Sequence, residues 1–338
     1  MGCGVSKDAI IRNGKSVVID SYSITNNEYY GWHDTAVAGV LCMQPPAGIT
    51  YEEYDYTGVA PLVDIISVNI MGSDLLASPS DVLSGCEWLI NWKQSHPNIP
   101  VIVSISWSKD PQRGWECGGW KNPCILCEAI NNMVKNYGFI VVCSAGNNGD
   151  ADPDPLNYVP RYRSIGCPGQ AEYAITVGAG IVYGFSEYDF STATYSSYGP
   201  TTDGNKKPDI VAKGVRVVSI DSDGNLAQYS GTSFAVPIVD GVIACILSKD
   251  ATKYNPYLIK DAIINTAIPA SAIEWENHSG YGLINSEGMY GLLFESDLER
   301  IIDEIMNFIF SYNFLGIFII AIGSVVYKYP DLKKKIHR

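Results

Sequence analysis

Residues 231–241 read GTSFAVPIVDG and open a long apolar segment whose pattern predicts a helix over Ser233–Ser248. A serine at the start of a helix lies where the helix dipole and unbonded backbone N–H groups favour developing negative charge. Ser233 is therefore a candidate nucleophile, although a serine there can also act only as an N-cap. Pro237 is expected in the first turn, where its missing N–H removes no helical hydrogen bond. This stretch alone leaves the choice between the two roles of Ser233 open.

Around this stretch, from residue 16 to about residue 284, short β-rich runs alternate with helix-like segments. This alternation predicts an α/β domain in which helices flank a parallel sheet. Strands are predicted at Ser16–Ile19, Asp64–Asn69, Val101–Ser106, Ile140–Cys143, Ala174–Val177 and Val215–Ser219. Helices are predicted at His33–Leu41, Asp81–Gln94, Ile125–Asn136, Ser233–Ser248 and Pro256–Thr266.

Composition and charge narrow the class of protein. The chain has 338 residues, of which 46% are apolar, which is enough for a large hydrophobic core. Its 36 Asp and Glu residues outnumber 23 Lys and Arg residues, giving a formal net charge of −13. Because such a surface repels phosphate groups, no nucleic-acid partner is expected.

Four motifs together resemble one family, the subtilisin-like serine peptidases. In that family the nucleophile lies in Gly-Thr-Ser-x-Ala-x-Pro, which residues 231–237 match. Residues 17–21, VVIDS, match the strand that ends in the catalytic acid, and residues 33–39, HDTAVAG, match the helix that begins with the base. Residues 143–149, CSAGNNG, match the segment that carries the oxyanion asparagine. The resemblance covers residues 17–286 and implies a three-layer sandwich with a mostly parallel central sheet.

The resemblance also implies a serine endopeptidase with a polypeptide substrate, and it assigns the catalytic roles. Ser233 is the expected nucleophile, and His33 is the general base that removes the hydroxyl proton. Asp20 is expected to fix the tautomer of His33 through the other ring nitrogen. The side-chain amide of Asn147 and the backbone N–H of Ser233 are expected to form the oxyanion hole. No cofactor is implied for catalysis.

Three departures from the family pattern support an alternative function, one being that His33 follows Asp20 by only 13 positions. Asp34 replaces the glycine that follows the base, and Tyr22 replaces a glycine that usually follows the acid. These changes bear on activity more than on fold. The alternative is a catalytically impaired binding module that keeps the same scaffold and is tethered to a membrane.

The substrate-binding residues follow from the resemblance by register. An extended peptide is expected to pair with two edge segments, Leu75-Leu76-Ala77 and Ser106-Trp107-Ser108. Gly166 is expected at the floor of the primary specificity pocket. The nearby acidic residues 150, 152 and 154 either line the rim of that pocket or form a solvated acidic loop.

The sequence does not identify a metal site, and it leaves the roles of several cysteines open. Structural calcium is common in the family, but its ligands do not match particular residues here, so the metal site stays unknown. Cys42, Cys86, Cys143 and Cys245 lie in apolar stretches and are predicted to be core residues. One disulfide within the loop that carries Cys117, Cys124 and Cys127 is compatible with an oxidising compartment. Zinc is disfavoured there because the sequence has no second cysteine pair and no nearby histidine.

The chain is predicted to comprise a peptidase domain at 1–293, an acidic linker at 294–304, a transmembrane helix at 305–327 and a basic tail at 328–338. The 23 residues of 305–327 carry no charge, and a helix of that length spans roughly 34 Å. The positive-inside rule places the tail in the cytosol and the domain outside, as a single-pass membrane protein. Residues 1–6, MGCGVS, do not form a secretory signal but fit a lipidation pattern.

Overall fold

The computed structural model describes residues 11–12, 15–16, 18–23, 31–44, 56–71, 77–109, 124–150, 163–183 and 189–294. The strands are β1 Ile11–Arg12, β2 Lys15–Ser16, β3 Val18–Ser23, β4 Ile65–Asn69, β5 Ile102–Ile105, β6 Ile140–Ser144, β7 Ile175–Val182, β8 Phe190–Thr192, β9 Ile210–Lys213, β10 Val217–Ile220 and β11 Leu226–Tyr229. The helices are α1 Trp32–Cys42, α2 Pro79–Ser95, α3 Ile125–Tyr137, α4 Thr232–Lys249, α5 Pro256–Thr266 and α6 Ser286–Phe294. All five predicted helices and all six predicted strands are present; α5 has the predicted bounds and the others have shifted ends.

A five-stranded, mostly parallel sheet forms the centre of the domain. Strands β5, β6, β7 and β8 follow one another across it, and β9 pairs with β7. The pairs β5–β6, β6–β7 and β7–β9 are parallel, whereas β7–β8 is antiparallel. Residues of β6 and most of β7 are buried on both faces, as in a parallel sheet covered by helices.

Helices cover both faces of this sheet, which confirms the α/β fold. On one face, α2 and α3 pack on each other, and Leu89 and Ile130 share a core cluster with Ile105 and Val141. On the other face, α4 contacts β5, β6, β7 and β9. Among the cysteines predicted to be core residues, Cys42, Cys86 and Cys143 are buried, but Cys245 is exposed on α4.

Strands β3 and β4 form a separate two-stranded parallel sheet, with Asp20 opposite Ile66. A cavity of about 450 Å³ has residues of both this pair and the five-stranded sheet in its wall, among them Ile19, Ile65 and Val103. Asp240 of α4 also lines it and is buried, and burial raises the pKa of its carboxyl to about 7. The strands expected in a single central sheet are therefore divided among three sheets in the described residues: the five-stranded sheet, β3–β4 and the antiparallel pair β10–β11.

Helix α4 is, within the described residues, the one helix long and apolar enough to cross a membrane, and 67% of it is buried inside the protein. That burial is typical of a core helix, because α4 supplies the apolar layer beneath the sheet. The predicted transmembrane helix at 305–327 and the segments at 295–304 and 328–338 lie outside the described residues. The chain divides into two compact units, with the boundary between Ser286 and Glu287.

Candidate active site

The candidate nucleophile Ser233 lies in the first turn of α4. Its N-cap residue, Gly231, has φ 152° and ψ 158°, a backbone conformation open almost only to glycine. The glycine of the Gly-Thr-Ser motif therefore permits the chain to enter α4 at this angle. Ser233 is 9% exposed, and its hydroxyl donates to the carbonyl oxygen of Ser106 at 2.9 Å.

A second hydrogen bond joins the same two residues in the opposite sense. The Ser106 hydroxyl donates to the carbonyl oxygen of Ser233 at 2.9 Å. That carbonyl would normally accept from the N–H four residues later, but this position is Pro237, inside the helix. The expectation that Pro237 lies in the first turn is wrong, because the helix already begins at Thr232. The missing N–H is replaced by the hydroxyl of a predicted substrate-binding residue.

The candidate base His33 lies in the first turn of α1, close to Phe234, the residue after Ser233. Its ring centroid is 5.5 Å from that of Phe234. Nδ1 of His33 lies 3.0 Å from Oδ1 of Asp34, the residue that departs from the family pattern. Phe234 is buried and packs with Val37 and Val40 of α1, so the interface between α1 and α4 sets where His33 lies.

Asp20 does not lie against His33 in this structure. One of its carboxylate oxygens accepts from Nε1 of Trp92 at 2.8 Å, and the other accepts from the backbone N–H of Ser21. Asp20 was expected to end its strand, but β3 continues to Ser23. Tyr22 stacks on Trp88 at a centroid distance of 5.5 Å.

The replacement of glycine by Tyr22 gives a physical reason for this arrangement. Residues two apart on a strand share a face, so Asp20 and Tyr22 point the same way. Trp88 and Trp92 lie one turn apart on one side of α2. The Tyr22–Trp88 stacking and the Asp20–Trp92 hydrogen bond therefore belong to one contact, which holds the acid against α2.

The amide of Asn147 is oriented by the residue that precedes the nucleophile. Its Oδ1 accepts from both the backbone N–H and the hydroxyl of Thr232, each at 3.0 Å. Because its oxygen is bonded in this way, the NH₂ group is left to donate elsewhere. A Cβ added to Gly231 would lie 3.5 Å from Nδ2 of Asn147, so this nitrogen is close to the start of α4. Asn147 itself is exposed. The arrangement can present one N–H donor beside Ser233.

The structure brings Gly166 against one of the two predicted substrate-binding segments. A Cβ on Gly166 would lie 2.9 Å from the Ser108 Cβ and from the Lys109 oxygen, so only glycine fits. Lys109 and Cys167 form an antiparallel β-bridge. The backbone nitrogen of Lys109 lies 2.8 Å from the carbonyl oxygen of Cys167, and the reverse distance is 3.2 Å. Trp107 lies between Ser106 and Ser108 and packs on the cluster around α2 and α3.

The other predicted segment is described only in part. Ala77 packs at the edge of the same core cluster, whereas Leu75 and Leu76 lie outside the described residues. Asp150 is exposed, and residues 152 and 154 are likewise outside the described part of the chain. Within that part, no three carboxylates lie close enough together to share one ion.

Sequence reasoning missed the positioning residues of the site. Thr232 orients Asn147, the Ser106 hydroxyl holds the nucleophile's carbonyl, and Phe234 packs on His33. Two of these lie beside Ser233 in the motif, so proximity in sequence could have drawn attention to them. Nothing local signals the role of the Ser106 hydroxyl, because its partner is 127 residues away.

Comparison with known proteins identifies the family of the chain. The profile of the subtilase family, a peptidase family, matches residues 10–282. Serine protease AprX of Bacillus subtilis is 30% identical over 252 residues, which are 69% of this chain and 52% of AprX. Subtilisin BL of Lederbergia lenta is 27% identical over 287 residues, covering 85% of this chain and 86% of the relative. The chain thus spans about half the length of AprX.

A solved structure supports the fold independently. The Clostridium perfringens CspB protease superposes with a TM-score of 0.70 at 17% identity, covering 88% of this chain and 94% of that one. At that identity the likeness supports the fold alone.

Proposed function

Because the chain belongs to the subtilase family, we propose that it is a membrane-anchored serine endopeptidase, which cleaves a polypeptide through an acyl-enzyme intermediate. The observation that carries the proposal is the Asn147 amide, bonded through its oxygen to Thr232 beside Ser233. An amide fixed in this way is preorganised to donate to the oxyanion of a tetrahedral intermediate.

In the proposed reaction, the Ser233 hydroxyl leaves the carbonyl of Ser106 and turns to His33, which accepts its proton as the oxygen attacks the peptide carbonyl. The oxyanion then receives hydrogen bonds from Asn147 and from the backbone N–H of Ser233. His33 returns the proton to the leaving amine. Water, activated by the same histidine, then hydrolyses the acyl-enzyme. The protein needs no cofactor for these steps.

Two carboxylates are candidates to orient His33. We assign the role to Asp20, as the match of residues 17–21 to the family strand implies. Asp20 must then exchange its Trp92 partner for Nδ1 of His33, where Asp34 now lies. Asp34 is the alternative, because it already contacts that nitrogen.

Substrate recognition is proposed at the backbone of residues 106–108, where an extended peptide would add as a further strand. Leu75, Leu76 and Ala77 are proposed on the opposite side of that peptide. Gly166 lies in close contact with Ser108 and is proposed as the floor of the pocket for the side chain before the scissile bond.

Labelling of the full-length chain with a fluorophosphonate probe tests the activity. We expect wild type to be labelled and Ser233→Ala and His33→Ala not to be. Ser248→Ala, an exposed serine on the same helix, is the matched control and should be labelled as wild type is. A folded wild-type protein that resists labelling would overturn the peptidase assignment.

The second candidate function is a catalytically impaired binding module. The position of Asp20 on Trp92, away from His33, favours it. A module of this kind should bind an extended peptide without cleaving it. Mass spectrometry of a peptide library after incubation separates the two functions, because only the peptidase generates new termini.

The C-terminal segment supports membrane anchoring through its composition. Residues 305–327 carry no charge, and residues 328–338 contain five basic residues and one acidic residue. We place the peptidase domain outside the cytoplasm and the tail inside it. Extraction of membranes at alkaline pH should leave the chain in the pellet, and release into the supernatant would contradict an integral anchor.

A further inference from the structure

Aromatic rings form a stack that runs from the protein surface to the first turn of α4. Trp32 stacks on Tyr229, with ring centroids 5.8 Å apart and 19° between the ring planes. Tyr229 stacks in turn on Phe234, with centroids 5.1 Å apart and 22° between the planes. Phe234 is buried, whereas Trp32 is 57% exposed. The inner end of the stack therefore belongs to the core, and the outer end is open to solvent.

The exposure of Trp32 distinguishes it from the other tryptophans. Among the tryptophans of the described residues, Trp32 alone is exposed; Trp92, for example, is buried and donates from Nε1 to Asp20. Trp32 is the first residue of α1, yet the cluster between α1 and α4 is formed by Val37, Val40 and other residues. That interface is complete without the exposed part of the indole ring, so this part is available to a ligand.

The same stack borders the candidate base. The ring centroid of His33 lies 5.7 Å from that of Trp32, in edge-to-face geometry, and 5.5 Å from that of Phe234. His33 is therefore next to both the outer and the inner ring of the stack. A peptide that reaches His33 also comes within reach of Trp32.

The chemistry of His33 determines which part of a peptide this is. In the proposed reaction His33 returns a proton to the leaving amine, so this nitrogen must come within hydrogen-bond distance of the imidazole, about 3 Å. The leaving amine belongs to the residue that follows the scissile bond. The side chain of that residue is therefore brought beside His33 and close to Trp32. Residues 106–108 and Gly166 are proposed to hold the part of the peptide before the bond.

The stack favours one class of side chain. A large aromatic or aliphatic group that covers the exposed indole ring removes apolar surface of both partners from water. An aromatic group also gains from stacked or edge-to-face contact with the ring. A cationic side chain gains less, because at an exposed site it keeps most of its hydration.

We propose that Trp32, supported by Tyr229 and Phe234, is a specificity-determining residue that binds a large aromatic or aliphatic side chain of the residue after the scissile bond. Its place in a cleavage reaction rests on the proposed function. The binding of the side chain does not, because a module that holds a peptide without cleaving it would use the same stack. Trp32 takes no part in proton transfer.

Titration by saturation-transfer NMR tests the binding without catalysis. The parent is the full-length chain carrying Ser233→Ala, and the probes are phenylalaninamide and alaninamide, which mimic the leaving amine of a substrate. We expect phenylalaninamide to bind the parent more tightly than alaninamide. Adding Trp32→Ala should weaken phenylalaninamide by about two- to twelvefold, the loss of one aromatic pair, and leave alaninamide unchanged. Trp32→Phe should keep most of the preference, and Tyr257→Ala, which removes an exposed ring on α5, should match the parent.

Partitioning of the acyl-enzyme tests the same residue in the chain with Ser233 intact. A peptide ester acylates Ser233, and the two amides then compete for the acyl group. The amine nitrogen attacks the acyl carbonyl, gives a proton to His33 and releases Ser233, which takes that proton. The ratio of the phenylalaninamide product to the alaninamide product should fall in Trp32→Ala by a factor similar to the loss of affinity. Because the ratio compares two acceptors for one acyl-enzyme, a general loss of activity or of folded protein leaves it unchanged.

Three outcomes of the NMR titration would overturn the proposal. The first is that Trp32→Ala binds phenylalaninamide as tightly as the parent does. The second is that the parent binds the two amides equally. The third is that argininamide binds the parent more tightly than phenylalaninamide, which would identify a cation site. If the expected preference is found but the chain with Ser233 intact forms no acyl-enzyme, the peptidase assignment fails and the binding site stands.

Discussion

The two halves of the candidate active site are built in different ways. Ser233 and Ser106 share two hydrogen bonds, and Asn147 is bonded to Thr232, the residue before Ser233; each lies on or beside an element of the five-stranded sheet or α4. His33 lies on α1 and Asp20 on the separate β3–β4 sheet, and no described hydrogen bond joins them. The nucleophile half is held in place by the core, whereas the acid half depends on how β3 lies against α2.

The largest expected effect tests which carboxylate completes the acid half. If Asp20 orients His33, Asp20→Asn should lower kcat by about 10⁴-fold, the size of effect found when the triad acid is replaced in this way. Asp34→Asn is the matched control, and kcat should fall by less than about tenfold. The reverse ranking, measured with an amide substrate, would assign the role to Asp34.

Trp92→Phe sharpens the same question. It removes the indole N–H that binds Asp20 at 2.8 Å while keeping the aromatic packing of α2. If Asp20 must leave Trp92 before it can reach His33, kcat should rise or stay unchanged. A fall in kcat comparable to that of Asp20→Asn would mean that the Trp92 hydrogen bond itself serves catalysis.

The next largest effect tests the nucleophile half. Asn147→Ala should lower kcat by about 10²–10³-fold with little change in KM, because its donor acts on the transition state. That magnitude was measured in a subtilisin, which is a relative of this chain. The neighbouring Asn148→Ala is the control and should leave kcat near wild type. An effect of Asn147→Ala confined to KM would contradict its role as an oxyanion donor.

The same division explains how far the sequence could predict the site. Ser233 lies at the helix start that its motif predicts, and Asn147 lies shortly after β6, because each belongs to a local motif that also determines a helix start or a strand end. Asp20 does not, because its partner is selected by stacking of Tyr22 on Trp88, a contact across 66 positions that no local pattern contains. The sequence shows Pro237 but does not predict which group replaces its missing N–H. That group is the hydroxyl of Ser106, which is far away in the sequence.

Asp240 lies at the cavity between the two halves and makes stability depend on pH. Its folded pKa of about 7 exceeds the value of about 4 expected in the unfolded chain. Between these values the folded state binds the extra proton, so the free energy of unfolding falls as pH rises from about 4 to about 7. Asp240→Asn should match wild type near pH 4 and be more stable at pH 8, by at most a few kcal/mol.

Urea unfolding at the two pH values measures this difference, with Ser233→Ala in all variants to prevent self-cleavage. Asp261→Asn removes an exposed carboxylate on α5 and should show no comparable change. Equal losses of stability with pH in wild type and Asp240→Asn would show that Asp240 is not buried as described.

The smallest effect concerns the reciprocal bond between Ser106 and Ser233. Ser106→Ala leaves the carbonyl of Ser233 buried without its donor, which should lower the free energy of unfolding by about 1–3 kcal/mol. Pro237→Ala restores an N–H four residues after Ser233, where a helical hydrogen bond can form. The double variant should therefore recover most of the stability that Ser106→Ala loses.

This double-mutant cycle, measured by urea unfolding, isolates the coupling because the Ser106 hydroxyl and the N–H restored at position 237 share one acceptor. Additive effects would mean that the proline and the hydroxyl are independent, so that the carbonyl is satisfied in another way. A strong coupling would instead mean that the proline of the nucleophile motif keeps one backbone acceptor open for the substrate-binding segment. The proline of the motif would then be the reason that Ser233 is hydrogen-bonded to that segment.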